Sequence, residues 1–377
     1  AREVLEELPT RCVAVWNALI AGYADQRQVL EAFSCFERMQ GEALAPDAIT
    51  FISILKVCGR TRAVCKGIQI HDIILNRGLL KKDIILGNVL VDMYAKCGML
   101  ARAHRVLKEL TVRDVFSWSA LIAGYAKHGQ AYKALNCFQQ MQTEGLSPNS
   151  VTFICVLKAC SCIGSIDMGT QIHEEIVNRG LLQKDIMLGT ALIDMYAKCG
   201  ALEEAQEVLD QLSVRDVVSW STLIAGYSEQ GRVHEVMNCF EQMQHEGLSP
   251  DAVTFICILK ACGSKMAIEK GRQVHMEIAC RELLEKNTML GNALVDMYAK
   301  CGVLVKARQV FEDLEVRDIV TWNALITGFA QEGECDEALH YFEGMQKEGF
   351  SPNGVTFICI LKACANTGAI DKGEQIH

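Results

Sequence analysis

The stretch VVSWSTLIAGYSEQGRVHEVMNCFEQMQHEGLSPD, residues 217–251, decides the fold because close copies of it return along the chain. The only four tryptophans of the 377 residues mark the copies at a spacing of 102: Trp16, Trp118, Trp220 and Trp322. A fixed period of this kind is typical of a solenoid, in which each unit stacks on its neighbours and buries a face that it could not bury alone.

Each period divides into three related segments of 35, 36 and 31 residues, which are the predicted units of the array. The sequence stops at His377 inside a unit, and its first residues read as the tail of a short unit, so we expect a fragment of a longer protein. The predicted array is continuous, and its units are 1–12 (the end of a short unit), 13–47, 48–83, 84–114, 115–149, 150–185, 186–216, 217–251, 252–287, 288–318, 319–353 and 354–377 (partial).

Each unit reads as two helices joined by a short turn. In residues 115–149, apolar residues at helical spacing predict one helix from about Phe116 to Lys127 and a second from about Ala131 to Thr143. Glycines follow both stretches. Four of the five prolines fall in the turn before a new unit, at Pro46, Pro148, Pro250 and Pro352. The predicted fold class is therefore all-α, a solenoid of stacked helix pairs.

The composition argues against a membrane span and against a cysteine-based site. No apolar run reaches the roughly 20 residues that a membrane span needs. Thirteen of the 18 cysteines recur in register, one at a given helical position of each unit, which is typical of a small buried hydrophobe. No two cysteines have the C-x-x-C spacing of common zinc and redox sites. We therefore expect reduced, metal-free cysteines.

No catalytic site is evident in the sequence. His275-Met276-Glu277 has the H-x-E spacing of zinc deaminases, but the P-C-x-x-C pair that this chemistry also requires is missing. The histidine belongs instead to a sequence motif that recurs with the units, at His71, His173, His275 and His377. We expect no enzyme activity from these residues and no cofactor.

The 35-residue unit quoted above resembles a pentatricopeptide repeat. The order of 35-, 36- and 31-residue units, with LGNALVDMYAKCG and VTFICILKACG in the short and long ones, is similar to the plant class called PLS (P, long L, short S). The resemblance covers the whole chain. It implies a right-handed superhelix whose first helices line a groove, and a protein that binds single-stranded RNA sequence-specifically in mitochondria or chloroplasts, with the mitochondrion favoured.

The resemblance also implies that two residues of each unit, the fifth and the last, face one base. An aspartate only accepts hydrogen bonds and suits the ring N–H of U or G, whereas an asparagine can donate to the ring nitrogen of A or C. By the family code, asparagine at the fifth place goes with pyrimidines, and serine or threonine with purines. The implied readers are Asn17/Asp47 (U), Asn88/Asp114 (U), Ser119/Asn149 (A), Thr190/Asp216 (G), Ser221/Asp251 (G), Asn292/Asp318 (U) and Asn323/Asn353 (C).

The L units carry isoleucine at the fifth place, which cannot hydrogen-bond a base, at Ile52, Ile154, Ile256 and Ile358. Their bases are left undefined, and the predicted target is 5′-U?UA?GG?UC?-3′. An aspartate or asparagine before a helix is also a good N-cap, and the fifth residues could simply face solvent. Base recognition is favoured because the residue type varies at the fifth and last positions of the units while the surrounding sequence stays nearly the same.

The second residue of each P and S unit is apolar, as expected of side chains that sandwich bases. Ordinary packing between helices explains the same pattern equally well. The predicted base-sandwiching residues are Ala14, Ile85, Phe116, Met187, Val218, Met289 and Val320.

The net charge of −9 is unusual for an RNA-binding protein, because phosphate neutralisation supplies much of the affinity. Lysines concentrate on first helices, however. L units carry Lys56, Lys158, Lys260 and Lys362. The predicted phosphate contacts are Lys96, Lys127, Lys198 and Lys300. A lysine in the last turn of a helix is also favoured by the helix dipole, which competes with this interpretation.

Three functions remain open at this point. The first is recognition of an organellar transcript for cytidine-to-uridine editing, with editing cofactor proteins bound through L units. The second is RNA binding for transcript stabilisation, processing or an organellar ribosome. The third is a protein-interaction solenoid. We expect a monomer that does not bind membranes.

Overall fold

The computed structural model describes residues 12–81, 83–284 and 287–367, and every regular element in this part of the chain is helical. A single 3-10 turn, Leu79–Lys81, accompanies the α-helices. The α-helices are α1 Val13–Asp25, α2 Val29–Gly41, α3 Ala48–Thr61, α4 Val64–Asn76, α5 Ile84–Lys96, α6 Leu100–Glu109, α7 Val115–Lys127, α8 Ala131–Thr143, α9 Ser150–Ile163, α10 Ile166–Asn178, α11 Ile186–Lys198, α12 Leu202–Gln211, α13 Val217–Glu229, α14 Val233–His245, α15 Ala252–Ser264, α16 Ile268–Cys280, α17 Thr288–Lys300, α18 Leu304–Asp313, α19 Ile319–Gln331, α20 Cys335–Lys347 and α21 Gly354–Thr367.

The prediction of an all-α chain is confirmed for the described residues. Odd-numbered helices begin at the first residues of the predicted sequence units and are the first helices. Even-numbered helices are the second helices. The second helices of the short units have 10 residues instead of 13, as α6 and α18 show.

The chain divides into two compact halves, Ala1–Met195 and Tyr196–His377. Within each half, a first helix packs against the next first helix, and second helices pack against the first helices beside them. First helices therefore lie side by side along one layer of each half, and second helices form the other layer.

The recurring tryptophans anchor the helix pairs. Trp220 is almost fully buried, and its indole N–H donates to the Glu246 carboxylate at 2.8 Å. Trp118 makes the same contact with Glu144 at 2.9 Å. In both cases the hydrogen bond joins the first helix of a unit to the end of its second helix. Trp118 and Trp220 therefore bury a large apolar surface while their one polar group stays satisfied. Trp322 differs, because its Nε1 is buried and has no hydrogen-bond partner in the described part of the chain.

Small residues set the spacing of neighbouring first helices. A Cβ atom on Gly124 of α7 would lie 2.7 Å from the Cβ of Ala95 in α5. The same approach recurs between Gly328 of α19 and Ala299 of α17, at 2.6 Å. Because neither place has room for a larger side chain, adjacent first helices approach closely and hold their exposed faces in a fixed register.

The recurring cysteines and histidines fill structural positions where the structure describes them. Burial raises the pKa of the Cys58 and Cys239 thiols to about 12, so both remain protonated. Nδ1 of His275 lies 2.9 Å from the Tyr298 hydroxyl of the next unit, and His71 and Tyr94 repeat the contact at 2.8 Å. His377 lies outside the described residues.

The longest α-helices have 14 residues, and none in the described part of the chain is long and apolar enough to cross a bilayer.

Candidate nucleic-acid interface

From Asp47 onward, the last residue of each predicted unit caps the first helix of the next unit where the cap is described; Cys12, at the end of the first predicted unit, makes no such side-chain bond. Asn149 Oδ1 accepts from the Thr152 backbone N–H at 2.9 Å and from the Thr152 hydroxyl at 2.9 Å. Asp251 accepts from the Thr254 backbone N–H at 2.8 Å in the same way. Because a backbone N–H only donates, the oxygen of the Asn149 amide must face the helix, and its Nδ2 is the group left for another partner.

The fifth residue of a unit lies beside its last residue in four of the predicted reader pairs. Asn17 Nδ2 donates to the Asp47 carboxylate at 2.9 and 3.1 Å. The corresponding distances are 2.9 Å for Asn88 and Asp114, 3.1 Å for Asn292 and Asp318, and 3.4 Å for Asn323 and Asn353. Each pair therefore forms one small polar surface with a defined arrangement of donors and acceptors.

The two serines of the predicted reader pairs are arranged differently. The hydroxyls of Ser119 and Ser221 lie 2.5 and 2.6 Å from the hydroxyls of Thr152 and Thr254. The pair Thr190 and Asp216 is divided between the two halves of the chain, and Thr190 Oγ1 donates to the Ile186 carbonyl at 3.0 Å.

Hydrogen bonds hold two carboxylates of the predicted reader pairs, those of Asp47 and Asp318, in the ionised form. Burial pulls the pKa of Asp47 upward, but hydrogen bonds from the Thr50 N–H and the Asn17 amide outweigh it and hold the pKa below its usual value. Thr321 and Asn292 lower the pKa of Asp318 in the same way. At neutral pH both side chains therefore present acceptors only.

The predicted base-sandwiching residues are exposed. Phe116 is 64% exposed and Met289 is 68% exposed, so neither packs into the core of its half. Each lies three residues before a reader, on the same face of its first helix. Such exposure is unusual for large apolar side chains at a recurring place, and it leaves them free to contact a ligand. The others of this set, also exposed, are Ala14, Ile85, Met187, Val218 and Val320.

The predicted phosphate-contact lysines are exposed, and acidic partners of Lys96 and Lys300 lie one helical turn before them. Lys96 Nζ lies 2.6 Å from Asp92, and Lys300 Nζ lies 2.6 Å from Asp296. Lys127 and Lys198 are also exposed. The L-unit lysines differ, because they are exposed and make no ion pair with any described residue: Lys56, Lys158, Lys260 and Lys362.

Comparison with known families decides what kind of array this is. A family model described as "PPR repeat family" matches residues 11–60, 113–162, 215–264 and 317–366. A second, described as "PPR repeat", matches residues 88–115, 190–217 and 292–319. The chain belongs to the pentatricopeptide repeat (PPR) family.

Two PPR proteins of Arabidopsis thaliana illustrate the similarity. A mitochondrial one is 35% identical over 380 residues, which cover 96% of this chain and 42% of that protein. A chloroplastic one is 34% identical over 373 residues, which cover 99% of this chain and 46% of that protein. The chain therefore spans less than half the length of these two relatives.

The solved structures show the same fold. The crystal structure of the PPR protein PPR10 from maize superposes with a TM-score of 0.67 at 20% identity, covering 100% of this chain and 59% of PPR10. PPR10 in complex with an 18-nt psaJ RNA element gives 0.68 at 17% identity, covering 97% and 60%.

The second residues of the predicted L units are absent from the predicted base-sandwiching set. These side chains are exposed like their counterparts in the predicted P and S units, although the predicted L units have no polar residue at the fifth place, where Ile52, Ile154 and Ile256 are half-buried and Ile358 is exposed. Their position in the repeat was the available signal. The overlooked residues are Ile49, Val151, Val253 and Val355.

Proposed function

We propose that this PPR chain binds single-stranded RNA sequence-specifically, one base per repeat, with the target 5′-U?UA?GG?UC?-3′. The observation that carries the proposal is the hydrogen bond between the fifth and last residues of one repeat, shown by Asn17 and Asp47. It places two polar groups of known donor and acceptor character side by side, close enough to meet the Watson–Crick edge of one base.

The chemistry of each pair supports its assigned base. Asp47, Asp114 and Asp318 only accept, and an acceptor suits the ring N3–H of uracil. Asn149 keeps Nδ2 as a donor because its Oδ1 caps α9, and a donor suits N1 of adenine. The same donor and acceptor reasoning allows G beside Asp251 and Asp216 and C beside Asn353. The choice between a purine and a pyrimidine follows from the family code at the fifth place, which assigns G to Ser221 and Thr190 and C to Asn323.

The exposed apolar residues supply a second contact. A base whose edge meets a reader must present its faces to the neighbouring first helices, where Phe116, Val218 and their counterparts lie. Contact with the faces of a base is tolerant of sequence, since every base has such a face. We propose that the second residues sandwich the bases, and that those of the L repeats do so without reading an edge.

For the whole protein, we propose recognition of a mitochondrial or chloroplast transcript for cytidine-to-uridine editing. The P, L and S order of repeat lengths and the relatives named mitochondrial and chloroplastic support this assignment. The structure of PPR10 with an RNA element supports RNA as the ligand. The residues of this chain provide recognition and no catalysis, the protein acts as a monomer, and L repeats offer a surface to editing cofactor proteins.

The proposal is tested by titrating the purified chain with three labelled RNAs: the target, a scrambled sequence of equal composition, and the target annealed to its complement. We expect the single-stranded target to bind most tightly and the duplex most weakly, because pairing hides the base edges. Equal affinity for all three would remove the proposed function.

Phosphate contacts are tested by the salt dependence of binding. Each phosphate neutralised on a single strand contributes about 0.7 to the slope of log affinity against log salt. We expect glutamine at Lys56, Lys158, Lys260 and Lys362 together to reduce the slope by about 0.7 per contact made. Glutamine at Lys96 and Lys300 should change it less, because Asp92 and Asp296 already neutralise these lysines.

A larger reduction from the Lys96 and Lys300 changes would show that these lysines exchange aspartate for phosphate. Lys96 and Lys300 would then contribute more to the salt slope than the four L-unit lysines do.

A further inference from the structure

A threonine in the third place of one repeat contacts the reader of the preceding repeat. Thr321 is fully buried, and its hydroxyl donates to Asn292 Oδ1. The Asn292 Nδ2 donates to Asp318 at 3.1 Å. Both ends of the reader amide are therefore held, and its orientation is fixed with the oxygen inward.

The equivalent place after Asn88, two S units before Asn292, is a serine, and the contact is missing. Ser117 is also fully buried, but its hydroxyl donates to the Asp114 carbonyl at 2.9 Å. The Oδ1 of Asn88 is buried and has no hydrogen-bond partner in the described part of the chain. Asn88 is therefore held at one end only, by its bond to Asp114 at 2.9 Å.

The two other threonines that follow an asparagine reader behave like Thr321. Thr50 donates to Asn17 Oδ1 at 2.5 Å, and Thr356 donates to Asn323 Oδ1 at 2.6 Å. Ser219 repeats the behaviour of Ser117, donating to the Asp216 carbonyl at 2.8 Å. A β-branched side chain has few allowed rotamers, so the threonine methyl restricts where the hydroxyl can turn. A threonine at this place therefore contacts the reader of the preceding repeat, whereas a serine donates to the carbonyl of the residue that caps its helix.

We propose that a threonine at the third place of the following repeat is a positioning residue, which sets how strictly the preceding asparagine reader selects base size, and that a serine at this place, such as Ser117, leaves the reader unpositioned. The inference rests on the proposed RNA function and goes beyond the two reader residues themselves. An asparagine held at both ends keeps its place and excludes a purine. One held at a single end swings aside more easily, and its buried, unpaired oxygen favours such a movement.

U and G are the informative pair of bases, because both offer a ring N–H to the reader aspartate and differ in size. Asn88 with Asp114 faces the third base of the target, and Asn292 with Asp318 faces the ninth. We expect wild type to prefer U over G more strongly at the ninth base than at the third, by about three- to tenfold, the range of one net hydrogen bond.

The experiment exchanges the two residues. Ser117→Thr should raise the U over G preference at the third base toward that of the ninth, and Thr321→Ser should lower the preference at the ninth. Ser117→Ala is the matched control. It removes a helix-capping hydroxyl that does not touch Asn88, so it should lower thermal stability and leave the preference at the third base unchanged.

The outcomes separate the inference from the proposed function. If wild type binds the target no better than scrambled RNA, the proposed function fails. If wild type is specific but both exchanges leave the two preferences unchanged while the variants melt like wild type, the positioning role is wrong. If Ser117→Ala changes the U over G preference as much as Ser117→Thr does, the change comes from weaker capping of the helix and not from the position of Asn88. The inference then also fails.

Discussion

Replacing Asn149 by aspartate is expected to move the preference at the fourth base of the RNA from A to G. In the wild type, Asn149 Oδ1 is taken by the Thr152 N–H, and Nδ2 remains to donate to adenine N1. A carboxylate there would repel adenine N1 and accept from guanine N1–H. The discrimination should change by about 1–3 kcal/mol, as for one well-placed base contact. Binding to two RNAs that differ only at the fourth base measures it.

The chain contains a natural template for this variant. Ser221, Asp251 and Thr254 occupy the corresponding places 102 residues further along the sequence, and Asp251 caps its helix through the same bond to Thr254 at 2.8 Å. The fold should therefore survive the change, since aspartate and asparagine cap about equally well. The reciprocal variant Asp251→Asn should move the seventh base from G to A. If both variants keep the wild-type preferences, the last residues do not read bases.

Replacing Trp220 by alanine should produce the largest loss of stability. The side chain is almost fully buried between the helices of its repeat, and its removal leaves a cavity. Losses for such substitutions are about 3–5 kcal/mol. Because a repeat is supported mainly by its neighbours, the loss should also weaken the adjoining repeats. Chemical denaturation followed by circular dichroism measures the effect.

Glu246→Gln is the control for Trp220→Ala. The glutamine oxygen can still accept from the indole N–H, while the ion pair with Arg215 is lost. That pair is partly exposed, so its loss should change stability by no more than about 1 kcal/mol. A larger effect from Glu246→Gln than from Trp220→Ala would mean that the ion pair, and not the buried indole, holds the two helices together.

The helix pairs could be predicted from the sequence because the evidence for them is local. The tryptophan period gives the units, and prolines such as Pro148 mark the turns. The cap at Asn149 follows from an asparagine placed directly before a helix. These features need no knowledge of which helix lies beside which.

The exposure of Phe116 could not be predicted in the same way. Its spacing fits a packed helix face and a ligand-facing one equally well, and only the arrangement of neighbouring first helices distinguishes them. The difference between Asn88 and Asn292 depends on the direction in which one hydroxyl turns. The ion pairs of Lys96 with Asp92 and of Lys300 with Asp296 could have been predicted, because the partners are four residues apart on one helix.

Affinity measured for every single-base substitution of the eleven-position target tests whether each repeat recognises one base. One-base-per-repeat recognition predicts that substitutions at the first, third, fourth, sixth, seventh, ninth and tenth bases weaken binding by about 1–3 kcal/mol each. Substitutions facing the four L repeats, at the second, fifth, eighth and eleventh bases, should have little effect. A profile that is flat, or whose tolerant positions do not recur every third base, would contradict it.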